Sequence, residues 1–143
     1  MLVCDLGFDL EAVRFLLEAR ERGRLDVVCG FREPAPADPL SAALNPKLVA
    51  KFGLPLRDPM CPVKLLTRDV ARAILLEAKG AEVHGEIAVK CARNGLRVGE
   101  AGVRLSAPAV ASLSFGEKSR LAAFVRFLRK KDALFRRGVI RAV

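Results

Sequence analysis

The chain has 143 residues, 52% hydrophobic and 29% charged. That is one domain's worth of sequence, able to bury about two-thirds of its unfolded surface and too apolar for a disordered chain. Its longest charge-free stretch, Leu105–Gly116, contains Pro108 and falls short of the roughly 18 apolar residues that span a bilayer. The net charge of +9 is uneven: residues 1–117 carry 16 basic and 15 acidic side chains, and residues 118–143 carry nine basic ones against Asp132.

This asymmetry divides the chain into a near-neutral body, 1–117, and a basic tail, 118–143, whose charge calls for an anionic partner: membrane lipid, nucleic acid or another protein. Met1–Cys4 runs into Asp5 with no basic or long apolar leader, so the expectation is a cytoplasmic protein, soluble or peripheral at the membrane. Cys4, Cys29, Cys61 and Cys91 are scattered singly, as expected of reduced and mostly buried thiols. His84 has no cysteine beside it, so nothing suggests zinc.

Met1–Cys4 is suited to a buried strand. Asp9 is placed to cap a helix whose apolar positions Leu10, Val13, Leu16 and Leu17 share a face, ending before Gly23. Asp26–Gly30 reads as a second strand. After a loop with Pro34, Pro36 and Pro39, a helix starts at about Leu40 or Pro46 and ends at Phe52. Cys61–Leu66 reads as a strand. Thr67 then caps a helix carrying Val70, Ala71, Ile74, Leu75 and Ala78, stopped by Gly80. Glu86–Asn94 is a further helix closed by Gly95, and Leu96–Leu105 a strand. Ser114 and Glu117 have capping-box spacing and open a helix with Leu121, Phe124, Val125 and Leu128 on one side. Strands alternating with helices predict an α/β fold, a sheet covered by helices.

Six segments follow in order: Val3-Cys-Asp5-Leu, Asp26-Val-Val-Cys-Gly-Phe-Arg32, Asp58-Pro-Met-Cys-Pro-Val-Lys64-Leu, the helix start at Glu86, Gly95-Leu-Arg-Val-Gly-Glu100-Ala-Gly-Val103, and Gly116-Glu-Lys118-Ser119. The series is similar in order and spacing to the second half of the family 2 glycosyltransferases that act on polyprenyl phosphates, of the dolichyl-phosphate mannose synthase kind. The resemblance covers almost the whole chain, although each segment alone is weak.

The resemblance implies a partial GT-A-like, Rossmann-like mixed sheet flanked by helices, with a basic amphipathic C-terminal helix. It also implies transfer of a sugar from a nucleotide sugar to a lipid phosphate. In such enzymes the first half of the domain holds the nucleotide sugar, and a divalent metal (Mg or Mn) bridges its diphosphate to an Asp-x-Asp turn. Asp5 matches the second aspartate of that turn, or is an ordinary strand-end aspartate. Asp58 and Glu86 match acidic positions of the catalytic half; Glu86 equally suits the positive end of a helix. Arg32, Lys64, Lys118 and Ser119 match positions that contact phosphate or substrate, the last two only if one residue is inserted; Arg32 equally suits a surface arginine, and Lys64 suits a strand-edge lysine somewhat better.

The pattern also departs from the family's. Val3 stands where the first aspartate of the metal turn is expected, His84 where an aspartate precedes the acidic helix, and Pro62 where there is a glycine. None of residues 109–115 supplies the arginine that usually precedes the last motif. The nucleotide-binding half has no counterpart in this sequence, so activity is expected to need a partner polypeptide, and an exposed sheet edge would favour self-association. Arginine and lysine flank the apolar stripe of the last helix, a pattern suited to an anionic membrane surface. A helix packed on the sheet with a solvated basic face has the same pattern. A non-catalytic docking module is thus the alternative. Nucleic acid is the weaker partner, because the chain lacks a recognised motif and has no Tyr or Trp to stack on bases.

Overall fold

The computed structural model describes residues 2–3, 10–34, 38–104 and 115–130, and of residues 2–3, 115–120 and 129–130 only the backbone. The elements are β1 (Leu2–Val3), α1 (Leu10–Gly23), β2 (Val27–Arg32), α2 (Pro39–Phe52), β3 (Lys64–Leu66), α3 (Arg68–Ala73), α4 (Glu82–Arg93), β4 (Val98–Val103) and α5 (Phe115–Lys130). They form a mixed α/β fold: one small sheet in the order β1-β3-β2-β4, to which β1 contributes a two-residue ladder. β3 runs antiparallel to β1 and β2, while β2 and β4 are parallel from Val27↔Val98 to Arg32↔Val103.

β2 is central and its burial follows. Val27 and Cys29 point into the core shared with α2, α4 and α5, and Val28 points into a smaller core under α1. Leu66 and Leu65 of β3 divide the same way, as the two-residue period of a strand demands. The sheet is therefore covered on both faces, which is why β2 reads as an unbroken apolar run.

Helix boundaries differ from expectation in informative places. α2 begins at Pro39, with Asp38 as its N-cap accepting from the Ser41 N–H, and it carries Pro46 inside. α1 buries Ala12 and Leu16, whereas Leu10 is 85% and Leu17 42% exposed, so the expected apolar face is only partly the one used. α4 opens at Glu82, a turn earlier than expected, and places Glu86 in its second turn and His84 in its first. β3 is confined to Lys64–Leu66 and β4 to Val98–Val103.

α3 is the clearest correction. Thr67 caps it by accepting from the Val70 N–H, as expected, but it stops at Ala73 instead of running to Gly80. Ile74–Lys79 contains no helix breaker. The cause lies on α4. The buried carboxylate of Glu86 accepts from the Glu77 N–H at 3.0 and 3.1 Å and from the Ala78 N–H at 2.8 Å. Lys90, one turn on and also fully buried, lies 2.5 Å from Glu86 and donates to the Leu75 carbonyl. The pair satisfies the backbone groups that helix would otherwise have bonded, and holds the segment open.

α5 lies against α2 and α4. Leu121, Phe124 and Leu128 are buried in the main core, and Arg93 of α4 donates to the Leu128 carbonyl at 2.7 Å. The apolar stripe of this helix is thus occupied within the protein. The basic residues 131–143, which the tail reading also needs, lie outside the described residues.

Glu86→Gln should place an amide against the captured backbone and leave Lys90 short of its counter-charge, costing about 3–5 kcal/mol. Hydrogen exchange is expected to accelerate most at Glu77 and Ala78, beyond the global change read at Val28 and Cys29 in β2.

Candidate functional site

The parallel strands β2 and β4 end together at Arg32 and Val103, and the segment leading into antiparallel β3 crosses the same end. This is where an open α/β sheet offers its loops to a ligand. Arg32, the last residue of β2, turns its guanidinium onto Asp58. Nε reaches Oδ2 at 2.6 Å and Nη2 reaches Oδ1 at 2.8 Å, a bidentate pair in which both side chains are nearly inaccessible. Arg32 also donates through Nη1 to Asp38 at 2.8 Å and through Nη2 to Ser41 Oγ at 2.7 Å.

Asn45 completes the cluster from α2. Its Nδ2 donates to Asp58 at 2.7 Å, and its Oδ1 accepts the Met60 N–H at 2.9 Å. With the Arg32 N–H at 3.3 Å, Asp58 accepts four hydrogen bonds, two on each oxygen. Burial alone would raise the pKa of Asp58. The hydrogen bonds and charge of Arg32, aided by Asn45, outweigh it and hold the carboxyl below its ordinary value. For Arg32, burial opposes the charge and Asp58 more than restores it.

Beside the pair, Glu100 of β4 accepts the Arg57 N–H at 2.6 Å and the Asp58 N–H at 3.3 Å, and meets Arg57 Nε at 3.2 Å. Arg57 is largely exposed, with its guanidinium carbon 3.4 Å from the centre of the Phe31 ring. The exposed guanidinium is thus held at the rim by an aromatic ring and a carboxylate.

Lys64 is fully buried, and its Nζ donates to the carbonyls of Pro59 and Cys61 at 3.0 and 2.6 Å, bracing the turn before β3. Gly30 lies against this turn, where a Cβ would stand 2.9 Å from Cys61 Sγ and 3.0 Å from Val103. Burial pushes the Cys61 thiol up to about 11, with Lys64 pulling the other way, and it raises Cys29 and Cys91 as well. These three cysteines are buried and unbridged.

Of the residues that the sequence marks, Arg32 and Asp58 are brought into contact, and Lys64 lies in the segment that Asp58 opens. Glu86 belongs to a different cluster, with Lys90 and the backbone of residues 75–78. Lys118 and Ser119 fall in α5, where only the backbone is described, and Asp5 lies outside the described residues.

Protein-family models, curated proteins and solved structures were all compared with the chain. Nothing matches. Among the described residues no three His, Cys, Asp or Glu side chains gather as a metal-holding set. Asp58 already shares its oxygens between a guanidinium and an amide, so the described residues do not by themselves fit a divalent ion.

Asp38, Ser41, Asn45 and Arg57 stand outside the marked site positions, and Glu100 stands in the Gly95–Val103 motif with no role attached to it. The Asp38-Pro39 step was a usable signal, since an N-cap aspartate before a first-turn proline fixes a helix start. Asn45 had none, because what selects it is its proximity to Asp58 and Met60 across the fold; for Glu100 the motif was the signal, and its partners Arg57 and Asp58 were not legible.

Asp58→Asn should leave Arg32 with only the part-exposed Asp38 carboxylate as counter-charge and cost about 3 kcal/mol at pH 7. The folded pKa of Asp58 lies below its unfolded value, so its contribution is complete above about pH 4 and is lost as pH falls through the folded value. Denaturant midpoints measured from pH 7 into acid should therefore fall less steeply in the variant than in the parent.

Proposed function

We infer that this chain is a glycosyltransferase-related protein of the polyprenyl-phosphate kind, supplying the acceptor side of a reaction whose nucleotide-sugar side comes from outside the residues of this sequence. The observation that carries the reading is the meeting of Arg32 with Asp58. Two motifs 26 residues apart, each marked by the resemblance, converge at the carboxyl end of the sheet through a bidentate ion pair. The mixed sheet with helices on both faces is the coarse architecture that the resemblance implies.

In this reading the buried cluster is a frame and its rim meets the substrate. A lipid phosphate is already anionic near neutral pH, so it needs positioning by cations more than it needs a general base. Arg57 is a guanidinium at that end with an exposed face, anchored beside the cluster by Glu100. Arg32 and Asp58 set the loop that carries it. A metal, if the reaction uses one, would rely on Asp5 and on donors from elsewhere, and no step is assigned to it.

A second reading has an observation in its favour. Asp58, Lys64 and Glu86 are all buried and engaged by protein partners, as in a domain kept for its fold and used as a docking module. Its partner would be an anionic membrane met by the basic residues of 118–143.

Flotation with vesicles separates the two. At equal surface charge, the chain should bind vesicles containing a polyprenyl phosphate at least several-fold better than vesicles containing phosphatidylglycerol, and Arg57→Ala should erase the difference. Equal binding to both would favour the docking module and sink the acceptor-site reading. Absence of binding to either would sink both.

A further inference from the structure

Glu100 divides its two carboxylate oxygens between two tasks. Oε1 accepts the main-chain N–H groups of Arg57 and Asp58, at 2.6 and 3.3 Å, and so fixes the loop. Oε2 accepts from Arg57 Nε at 3.2 Å, and so fixes the side chain. The carboxylate that does this is only 12% exposed, whereas the Arg57 side chain is 66% exposed.

The second support comes from the sheet. The guanidinium carbon of Arg57 stands 3.4 Å from the centre of the Phe31 ring. Phe31 is paired in register with Gly102 of β4, where a Cβ would lie 3.3 Å from the ring's Cζ. The absence of a side chain at Gly102 thus leaves the ring its place beneath the arginine. Ring and carboxylate both belong to regular strands, which are more rigid mounts than a loop.

These supports use the main-chain N–H, Nε and one face of Arg57, and leave Nη1 and Nη2 without a partner among the described residues. Arg97, by contrast, spends both Nε and Nη2 on Asp26. Arg104 also lies at the end of β4, but no ion pair or ring contact with a described residue holds it. A guanidinium fixed in this way offers two donors at a set spacing, which matches two oxygens of one phosphoryl group. A phosphate monoester carries a charge of roughly −1.5 to −2 near neutral pH, so its oxygens accept more strongly than those of a singly charged diester.

We propose that Glu100 and Phe31 are positioning residues that make Arg57 a specificity-determining contact. Nη1 and Nη2 donate together to two oxygens of a terminal phosphate monoester, and this fork tells the monoester from a phosphate diester. The inference rests on the acceptor-site reading for the class of ligand. It adds the residues that set the contact and the basis on which a polyprenyl phosphate is told from the diester lipids around it.

The test titrates the full chain with dimethylallyl phosphate and with its methyl diester at fixed ionic strength, followed by phosphorus NMR. Saturable binding is expected, with the monoester at least about fivefold tighter than the diester. Glu100→Gln separates the two tasks of that residue. Its amide oxygen keeps the two main-chain donors, while its NH2 group meets Arg57 Nε donor to donor. The denaturant midpoint should therefore stay as in the parent, and the monoester preference should fall below about twofold. Arg57→Lys leaves Glu100 and the loop in place and keeps the charge without the fork; it should lose the preference as well. A preference retained in Glu100→Gln would overturn the positioning role, and one retained in Arg57→Lys would overturn the fork in favour of charge alone. Absence of saturable monoester binding to the parent would overturn the contact. A vesicle preference that persists in Glu100→Gln would sink this inference and leave the acceptor-site reading standing. The expected soluble preference without a vesicle preference in the parent would sink that reading and uphold the phosphate contact.

Discussion

The Arg32–Asp58 pair is the constraint on which the architecture of this site depends. It joins the end of β2 to the segment entering β3, and through Asn45, Ser41 and Asp38 it fastens both to α2. Two opposite charges withdrawn from water are costly unless their remaining donors and acceptors are used. Here Asp58 accepts four hydrogen bonds and Arg32 donates from Nε and from both terminal nitrogens. The cluster is therefore rigid, and the rim it carries, with Arg57 clamped between Phe31 and Glu100, inherits that rigidity. Preorganisation of that kind is what a binding site needs, whether its ligand is a lipid phosphate or a protein.

A second buried pair, Glu86–Lys90, does comparable work on the helical side of the sheet. It settles the path of residues 75–78 by supplying hydrogen bonds to their main chain. Both clusters follow one rule: a buried ionic pair is used to pin irregular backbone that secondary structure leaves unsatisfied. Lys64 applies the same rule with carbonyl partners alone.

The elements that a short window determines were legible in the sequence. β2 stands out as an apolar run after Asp26, and Thr67 caps α3 as its type and position demand. α3 fails at its far end because six residues with no helix breaker are overridden by a carboxylate that arrives from α4. α1 fails in its orientation. Leu10, Val13, Phe15, Leu16 and Leu17 spread apolar surface around much of the helix, so periodicity alone could not tell that Ala12 and Leu16 would face the sheet. Of the site, the resemblance singled out Arg32 and Asp58 separately. Their contact, and the parts played by Asn45 and Glu100, arise from tertiary proximity, which no local pattern encodes.

The central claim is that Arg32 and Asp58 act as one unit. A double-mutant cycle tests it most directly, with Arg32→Met, Asp58→Leu and the combination unfolded by denaturant at pH 7. The account predicts that each single variant is strongly destabilised, and that the double variant is less destabilised than the sum by about 2–3 kcal/mol, because neither charge is then left buried alone. Additive losses, to within about 0.5 kcal/mol, would contradict it.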